Sequence, residues 1–318
     1  MAISRAEAEE PISHEFTIRR WTTDDGLPQN RISSLAQTPE GYLWLGTWFG
    51  VVRFDGLHFT VFNQYNTPAL ANDAVNALAA TPDGSLWIGT HGGLVRYHDG
   101  EWTRFTAEMG LREQSIWELL VDPAGKLWIR GEDVGEFPAG PFVRVREDVP
   151  SHALMVLPNG DAVVVTSQGP APLSGVKTWE ELLKGGRNKA FDLESGIGRP
   201  SYPTDSWPCR TIAGEGEDWF LWASSTWIWE VGNDVEQRSG WARCVWERIT
   251  PEVFPEFLYR QKNGAIWGWF HKGGLRRFSR FNGAAFEFVR LLEGEQQPAV
   301  NALLDDREGN LWAATDGG

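Results

Sequence analysis

The sequence contains few of the residues on which several common classes of protein depend. Among its 318 residues there are only 2 Cys and 3 Met. Two cysteines exclude a disulfide-rich scaffold and a cysteine-rich zinc site. A single disulfide between Cys209 and Cys244 stays open, because sequence spacing does not reveal the geometry that such a bond needs. No apolar run reaches the roughly 18 residues that a membrane-spanning helix requires.

Basic residues are also scarce. The chain has 29 Lys and Arg against 43 Asp and Glu, which gives a formal net charge of −14. Nucleic acid and an anionic membrane surface are therefore excluded as partners, since binding phosphates requires a basic patch. The polar first eleven residues lack the apolar segment of a signal peptide. Residues 1–14 are expected to form a flexible tail.

Aromatic residues and glycine, in contrast, are abundant. The chain contains 18 Trp, 17 Phe, 35 Gly and 18 Pro. Aromatic side chains favour strands, and Gly and Pro mark turns. This composition predicts an all-β protein and excludes a helical bundle or coiled coil. The length alone suggests two domains at about 150 residues each, but all-β folds often exceed that length as one domain.

A repeated motif organises the chain. GYLWLGTWFGVVRFDG at 41–56 and GSLWIGTHGGLVRYHDG at 84–100 share glycine, Leu-Trp, Gly-Thr and Arg-aromatic positions, and shorter copies start at 125, 264 and 309. The gap of 139 residues between Trp128 and Trp267 holds three periods of about 46 residues, so it predicts two degraded copies. The seven resulting anchors are Trp44, Trp87, Trp128, Val163, Trp222, Trp267 and Trp312.

A period of 40–50 residues in an all-β composition is typical of a β-propeller with one four-stranded blade per repeat. The sequence therefore predicts one seven-bladed propeller over residues 15–318. In the second copy the strands are expected at 75–83, 85–90, 94–99 and 101–106. Residues 15–23 are predicted to supply the outer strand that closes the last blade. That blade is incomplete at residue 318, so the polypeptide is expected to continue.

Residues 25–56, DGLPQNRISSLAQTPEGYLWLGTWFGVVRFDG, resemble the two-component regulator propeller repeat. The resemblance implies a periplasmic or extracytoplasmic sensor domain of a histidine kinase, hybrid kinase or diguanylate cyclase. It implies an oligosaccharide or another small polar ligand, no cofactor, and a downstream signalling module that this chain does not contain. Membrane contact by this chain is not expected, and a homodimer stays open.

The anchor tryptophans recur at one position of the repeat, which indicates packing between blades rather than ligand binding. Tryptophans outside that position, such as Trp48 and Trp227 in loops after second strands, are better candidates for stacking on a ligand. Local packing is the alternative for both.

The candidate ligand site lies on one face of the propeller. The loops from fourth to first strands share this face with the loops from second to third strands. Asn30, Asp73 and Gln114 each precede an anchor by fourteen residues and are expected to surround the channel mouth. Amides and carboxylates suit hydroxyl-rich ligands, although they also cap loop backbone. The other candidates on this face are Arg31, Trp48, His91, Trp227, His271 and Lys272.

Three functions remain open at this point. The favoured one is a non-catalytic sensor. The first alternative is a propeller enzyme such as a polysaccharide lyase, a sialidase-like enzyme or a streptogramin-lyase-like enzyme. The second alternative is a protein-interaction platform. The sequence contains no Gly-x-Ser-x-Gly motif and no His-Glu-x-x-His motif, so it predicts neither catalytic nor metal-binding residues.

Overall fold

The computed structural model confirms an all-β chain. It describes residues 15–70, 72–112, 114–122, 124–132, 134–137, 143–146, 151–156, 162–166, 169–172, 210–211, 219–223, 227–234, 239–247, 253–261, 263, 265–272, 275–282, 286–293 and 297–318. Besides the strands, turns and irregular segments, the described residues include the short 3-10 turns Thr23–Asp25 and Ala107–Met109. The described ranges contain no helix long and apolar enough to cross a membrane.

The first two sheets are four-stranded and antiparallel, and in both the strands follow their order in the chain. The first sheet contains β1 (Ser34–Gln37), β2 (Leu43–Thr47), β3 (Gly50–Phe54) and β4 (Phe59–Phe62). The second contains β5 (Val75–Ala80), β6 (Leu86–Thr90), β7 (Gly93–His98) and β8 (Glu101–Arg104). The four strands expected from the second copy are confirmed.

The next two sheets continue the same hairpin order. The third sheet contains β9 (Glu118–Val121), β10 (Leu127–Arg130), β11 (Val134–Phe137) and β12 (Val143–Arg146). The fourth contains β13 (Ser151–Val156), β14 (Ala162–Thr166) and β15 (Gly169–Pro172). Val163, the anchor expected in the degraded fourth copy, lies in β14 opposite Met155.

The remaining strands complete seven sheets within the described ranges. β16 (Arg210–Thr211) pairs in parallel with the first strand of the sixth sheet. The fifth sheet contains β17 (Trp219–Ala223), β18 (Trp227–Asp234) and β19 (Ser239–Glu247). The sixth contains β20 (Val253–Arg260), β21 (Ile266–Lys272), β22 (Leu275–Phe281) and β23 (Phe286–Val289). The seventh contains β24 (Val300–Asp305) and β25 (Leu311–Thr315).

The expected strand at residues 15–23 is wrong. Residues 17–22 form no ladder, and Thr23–Asp25 form a 3-10 turn capped by Thr22. The segment nevertheless lies against the seventh sheet, because the Arg20 guanidinium donates to the Gly317 carbonyl oxygen (2.9 Å from Nε). The physical reason is that an outermost fourth strand must pair with a third strand, and β24 and β25 supply only the first two.

A turn between the first and second strands precedes five of the anchor tryptophans. The indole N–H of each donates to the side chain six residues earlier, at the end of the first strand. This bond holds the ring in place and satisfies the only polar atom of a buried side chain. The acceptors are Thr38 for Trp44 (3.3 Å), Thr81 for Trp87 (3.2 Å), Asp122 for Trp128 (3.3 Å), Gln261 for Trp267 (2.6 Å) and Asp306 for Trp312 (2.7 Å).

These tryptophans pack one sheet against the next. Trp44 shares an apolar cluster with Val75 and Ile88 of the second sheet. Trp312 of the seventh sheet packs in the cluster formed by Leu43 and Leu45 of the first sheet. Trp44 is 1% exposed and Trp128 is fully buried. The packing role predicted for these anchors is confirmed.

A repeated hydrogen bond also links neighbouring sheets. It starts at the side chain eleven residues before an anchor tryptophan. It ends at the carbonyl oxygen twelve residues before the anchor of the following sheet. We call this the inter-sheet bond, and it runs from Ser33 to Val75 (2.6 Å), from Asn76 to Ile116 (3.0 Å) and from Asn301 to Ile32 (2.9 Å). The last of these joins the seventh sheet to the first.

Candidate functional site

Turns and loops gather at one end of the sheets. Antiparallel pairing places Ser34, the start of β1, opposite Gly46 near the end of β2, so the loop into β1 and the turn after β2 lie together. The same pairing holds in the second sheet, where Val75 lies opposite Thr90. We call this end the loop face, and it comprises residues 23–33, 48–49, 63–70, 72–74, 91–92, 105–112, 114–117 and 316–317.

Hydrogen bonds between turns and the neighbouring loops hold the loop face together. The Gly50 N–H donates to the Asp73 carbonyl oxygen at 2.9 Å. The Trp48 N–H donates to the Gln29 side-chain oxygen at 3.2 Å. The Ser115 hydroxyl donates to the His91 carbonyl oxygen at 3.0 Å. Each turn is therefore tied to the loop beside it, which gives the side chains on this face defined positions.

Three of the predicted site residues meet on this face. The guanidinium carbon of Arg31 lies 4.8 Å from the centre of the Trp48 ring. The His91 ring centre lies 6.4 Å from that of Trp48. Arg31 also forms an ion pair with Asp316, with 3.3 Å between Nε and Oδ1. We call Arg31, Trp48, His91 and Asp316 the loop-face cluster.

The loop-face cluster is open to solvent. Trp48 is 48% exposed, and the side chains of Arg31 and Asp316 are 48% and 42% exposed. An indole held half-exposed beside a guanidinium offers an apolar face for stacking and N–H donors for oxygen atoms. This arrangement can bind a ligand that combines a ring face with hydroxyl or carboxylate groups.

Sequence reasoning missed three further exposed aromatic residues on the loop face. Phe49 is 61% exposed, Tyr65 is 97% exposed and Trp117 is 42% exposed. Trp117 precedes Trp128 by eleven residues, the position from which other repeats make the inter-sheet bond. An aromatic residue at that position was the available signal, because it departs from the small polar residues of the other copies.

The predicted triad of Asn30, Asp73 and Gln114 makes structural contacts. Asn30 Oδ1 accepts the Thr23 N–H at 2.8 Å, and Asp73 Oδ1 accepts the Gln64 N–H at 2.6 Å. Gln114 is 4% exposed. The bonds of Asn30 and Asp73 are those of the loop-capping alternative. Ligand binding by this triad stays a prediction.

The three candidates from the second half of the chain lie in strands, so their predicted loop placement is wrong. Trp227 is the first residue of β18 and pairs with Glu247. His271 and Lys272 are the last residues of β21 and pair with β22. The reason is that the β21–β22 ladder continues two residues further past its anchor tryptophan than the β6–β7 ladder. His91, in contrast, lies in a turn as expected.

The cysteine prediction stays untested. Cys209 lies outside the described residues, and the backbone of Cys244 lies in β19 opposite Trp229. The described residues contain no group of three or more His, Cys, Asp or Glu side chains placed to hold a metal ion.

Comparison with known families identifies the repeat. Residues 26–49 and 69–92 match the family described as the two component regulator propeller. The resemblance expected from residues 25–56 is therefore confirmed. No curated protein matches the chain in sequence.

Solved structures with low sequence identity share the fold. The extracellular domain of a protein described as a one-component system from B. thetaiotaomicron is 12% identical, with a TM-score of 0.59. PorZ, a surface component of the type-IX secretion system of Porphyromonas gingivalis, is 15% identical, with a TM-score of 0.60. Virginiamycin B lyase from Staphylococcus aureus is 12% identical, with a TM-score of 0.56.

These neighbours differ in how much of their length the chain spans. The match with the B. thetaiotaomicron protein covers 92% of this chain and 38% of that protein's chain. The corresponding figures are 95% and 47% for PorZ, and 91% and 92% for the lyase. At these identities the likeness establishes a shared propeller-like fold and leaves function open.

Proposed function

Because the chain carries two-component regulator propeller repeats, we propose that it is a non-catalytic sensor domain outside the cytoplasm. In this proposal residues 15–318 form a single ring of seven blades. The inter-sheet bond from Asn301 to Ile32 supports ring closure, since the same bond joins the first sheet to the second and the second to the third. The signal passes to a downstream output module of a two-component-type protein.

The loop-face cluster is the proposed ligand site. The observation that carries the proposal is the contact of Arg31 with both Trp48, from the same repeat, and Asp316, from the opposite end of the sequence. A half-exposed indole can stack on the apolar face of a sugar ring, and the guanidinium can donate to its oxygen atoms. The ligand class proposed is therefore a small polar molecule with a ring face, such as an oligosaccharide.

Binding of a panel of neutral and acidic oligosaccharides, measured by isothermal titration calorimetry, tests this proposal. Trp48→Ala is expected to weaken binding roughly fivefold, since one stacking contact contributes about 1 kcal/mol. The matched control is Tyr42→Ala. Tyr42 is also exposed and stacked by a guanidinium, with Arg53 at 4.6 Å, but it lies at the opposite end of the first sheet. Equal losses of oligosaccharide affinity in Trp48→Ala and Tyr42→Ala would contradict the assignment of the site to the loop-face cluster.

Product formation distinguishes the enzyme alternative from the sensor proposal, because an enzyme would convert its ligand and a sensor would release it unchanged. The S. aureus lyase shares the fold over most of its length. Prolonged incubation of each bound oligosaccharide, followed by chromatography, is expected to return the ligand unchanged. A new reducing end or an unsaturated product would contradict the sensor proposal.

A further inference from the structure

The third sheet departs from the repeat at two positions, and the two residues there contact each other. Eleven residues before the anchor, where three other sheets carry the small polar residue of the inter-sheet bond, the third sheet carries Trp117. Two residues after the anchor, where the first two sheets carry glycine, it carries Arg130. The guanidinium carbon of Arg130 lies 5.5 Å from the centre of the Trp117 ring. The two departures therefore form one structural unit.

Trp117 is not needed to join the third sheet to the fourth. Its neighbour Glu118 makes that connection, because Glu118 Oε2 accepts the N–H of Leu154 in β13 at 2.8 Å. Ser34 holds the same position in the first sheet, and its hydroxyl oxygen accepts the N–H of Leu78 in β5 at 2.9 Å. Since Glu118 makes this contact, the residue at position 117 is released from connecting the two sheets.

The Trp117 ring is held in place while it stays accessible. Arg130 is 5% exposed, and its Nε lies 2.7 Å from Glu118 Oε2. The backbone N–H of Trp117 donates to the Arg130 carbonyl oxygen at 2.8 Å. Trp117 itself is 42% exposed, and within the described ranges its indole N–H has no hydrogen-bond partner. A fixed, half-exposed indole with an available N–H suits stacking on a ring that carries hydroxyl groups.

Trp117 lies next to the proposed ligand site on the loop face. Trp48 of that site also contacts a guanidinium, that of Arg31, at 4.8 Å. The His91 ring centre lies 6.4 Å from that of Trp48. Ser115, two residues before Trp117, donates its hydroxyl to the His91 carbonyl oxygen at 3.0 Å. The turn of the second sheet that carries His91 therefore lies between the two indoles.

We propose that Trp117 and Arg130 form a second stacking subsite, and that the ligand is a linear oligosaccharide of at least three rings. One ring stacks on Trp48, one passes over His91 and one stacks on Trp117. This inference rests on the proposed function, which assigns the first subsite to Trp48. One ring cannot cover both indoles, because they lie on the first and third sheets and packed sheets lie about 10 Å apart. Glu118 neutralises Arg130, so the ring on Trp117 needs no charge.

Calorimetric titration with pairs of short and long sugars tests the second subsite. The probes are maltose and maltohexaose, cellobiose and cellohexaose, and the disaccharide and hexasaccharide of polygalacturonate. In the parent protein, the hexasaccharide of the series that binds is expected to bind roughly fivefold more tightly than its disaccharide, since only the longer chain reaches both indoles. Equal affinities at the two lengths would overturn the second subsite.

Trp117→Asn removes the indole and introduces the residue that the second and seventh sheets have at this position. The variant is expected to lose the advantage of the hexasaccharide and to keep both the affinity for the disaccharide and the Tm of the parent. Tyr65→Ala, at another exposed aromatic residue of the loop face, is the control and is expected to retain the advantage. A retained advantage in Trp117→Asn would overturn the proposal. A lost advantage together with a lower Tm would assign the indole to packing and would also overturn it.

Failure of the proposed function gives a different result. Trp48→Ala is expected to weaken the binding of both lengths of sugar. If it leaves both affinities unchanged, or if no probe binds the parent protein, the first subsite is wrong and the second is overturned with it. If Trp48→Ala weakens both affinities and Trp117→Asn changes neither, only the second subsite is wrong.

Discussion

The side-chain amide of Asn301 donates to the carbonyl oxygen of Ile32 at 2.9 Å, across 269 positions of sequence. The inter-sheet bond from Asn76 to Ile116, at 3.0 Å, has the same donor group and the same acceptor position in its repeat. The same hydrogen bond therefore joins the second sheet to the third, which are consecutive in the chain, and the seventh sheet to the first, which come from its opposite ends.

Asn301→Ala is expected to destabilise the protein by about 1–2 kcal/mol, because a partly buried carbonyl oxygen loses its donor. Asn76→Ala is expected to cost a similar amount. Urea unfolding followed by tryptophan fluorescence measures both. Asn263→Ala is the control, since the Asn263 side chain accepts a local N–H, from Ala265. If Asn76→Ala lowers the free energy of unfolding and Asn301→Ala leaves it unchanged, the result would argue against contact between the first and seventh sheets.

Gly89→Ala is expected to cost about 1–3 kcal/mol through overpacking. A Cβ atom at this position of β6 would lie 2.7 Å from Cγ2 of Ile116 on the neighbouring sheet. Ile116→Ala removes that methyl group, so the double variant is expected to be more stable than the sum of the two single effects. Additive losses in chemical unfolding would show that the two residues do not pack as described.

The stability contribution of Asp306 is expected to depend on pH. Burial raises the pKa of its carboxyl group, but hydrogen bonds from Asn310 and Trp312 outweigh burial and hold the pKa below its ordinary value of 3.8. A lowered folded-state pKa means that the contribution is present above pH 3.8. It is lost as the pH falls through the folded pKa.

Thermal unfolding of Asp306→Asn and of the parent protein between pH 7 and pH 2.5 measures this dependence. The parent is expected to be more stable at neutral pH, and the difference should shrink below about pH 3.8. Asp24→Asn, at an exposed carboxylate, controls for the change in net charge. A difference that stays constant down to pH 2.5 would contradict the assigned role of the carboxylate.

Arg31→Lys is expected to weaken oligosaccharide binding several-fold. Lysine keeps the positive charge, but it lacks the planar guanidinium that stacks on Trp48 and presents several fixed donors. Arg53→Lys makes the same change beside Tyr42 at the opposite end of the sheet and is expected to leave affinity unchanged. Calorimetric titration of both variants gives the comparison. Full affinity in Arg31→Lys would mean that the guanidinium plane takes no part.

Much of the fold could be predicted because the repeat is local. The segment from Val75 to Arg104 contains all four strands of one repeat, and its turns and alternating apolar residues define them without reference to the rest of the chain. The anchor Trp44 could be assigned to packing because equivalent residues recur at one position. The later copies give a weaker prediction: the repeat pattern places Trp227, in a degraded copy, and His271, in the copy that starts at 264, in loops, whereas both lie in strands.

The candidate site could be predicted only in part. Arg31, Trp48 and His91 were placed on one face by their positions within the repeat, and the structure brings them together. Asp316 was not identified, because no local pattern links it to Arg31 across 285 positions. The loop-capping bonds of Asn30 and Asp73 were open as an alternative and became evident only from the atoms that they contact.

The sequence by itself determined the period, the hairpin turns and the packing role of the anchor tryptophans. The first two depend on interactions within about 45 residues, which is the length of one repeat, and the third follows from the recurrence of tryptophan at one position of that repeat. Only the tertiary structure decided which loops meet and how residues 15–23 lie. Contacts such as Asn301–Ile32 depend on how the first and last sheets meet. A segment such as residues 17–22 cannot form a ladder until a neighbouring strand offers its own N–H and carbonyl groups.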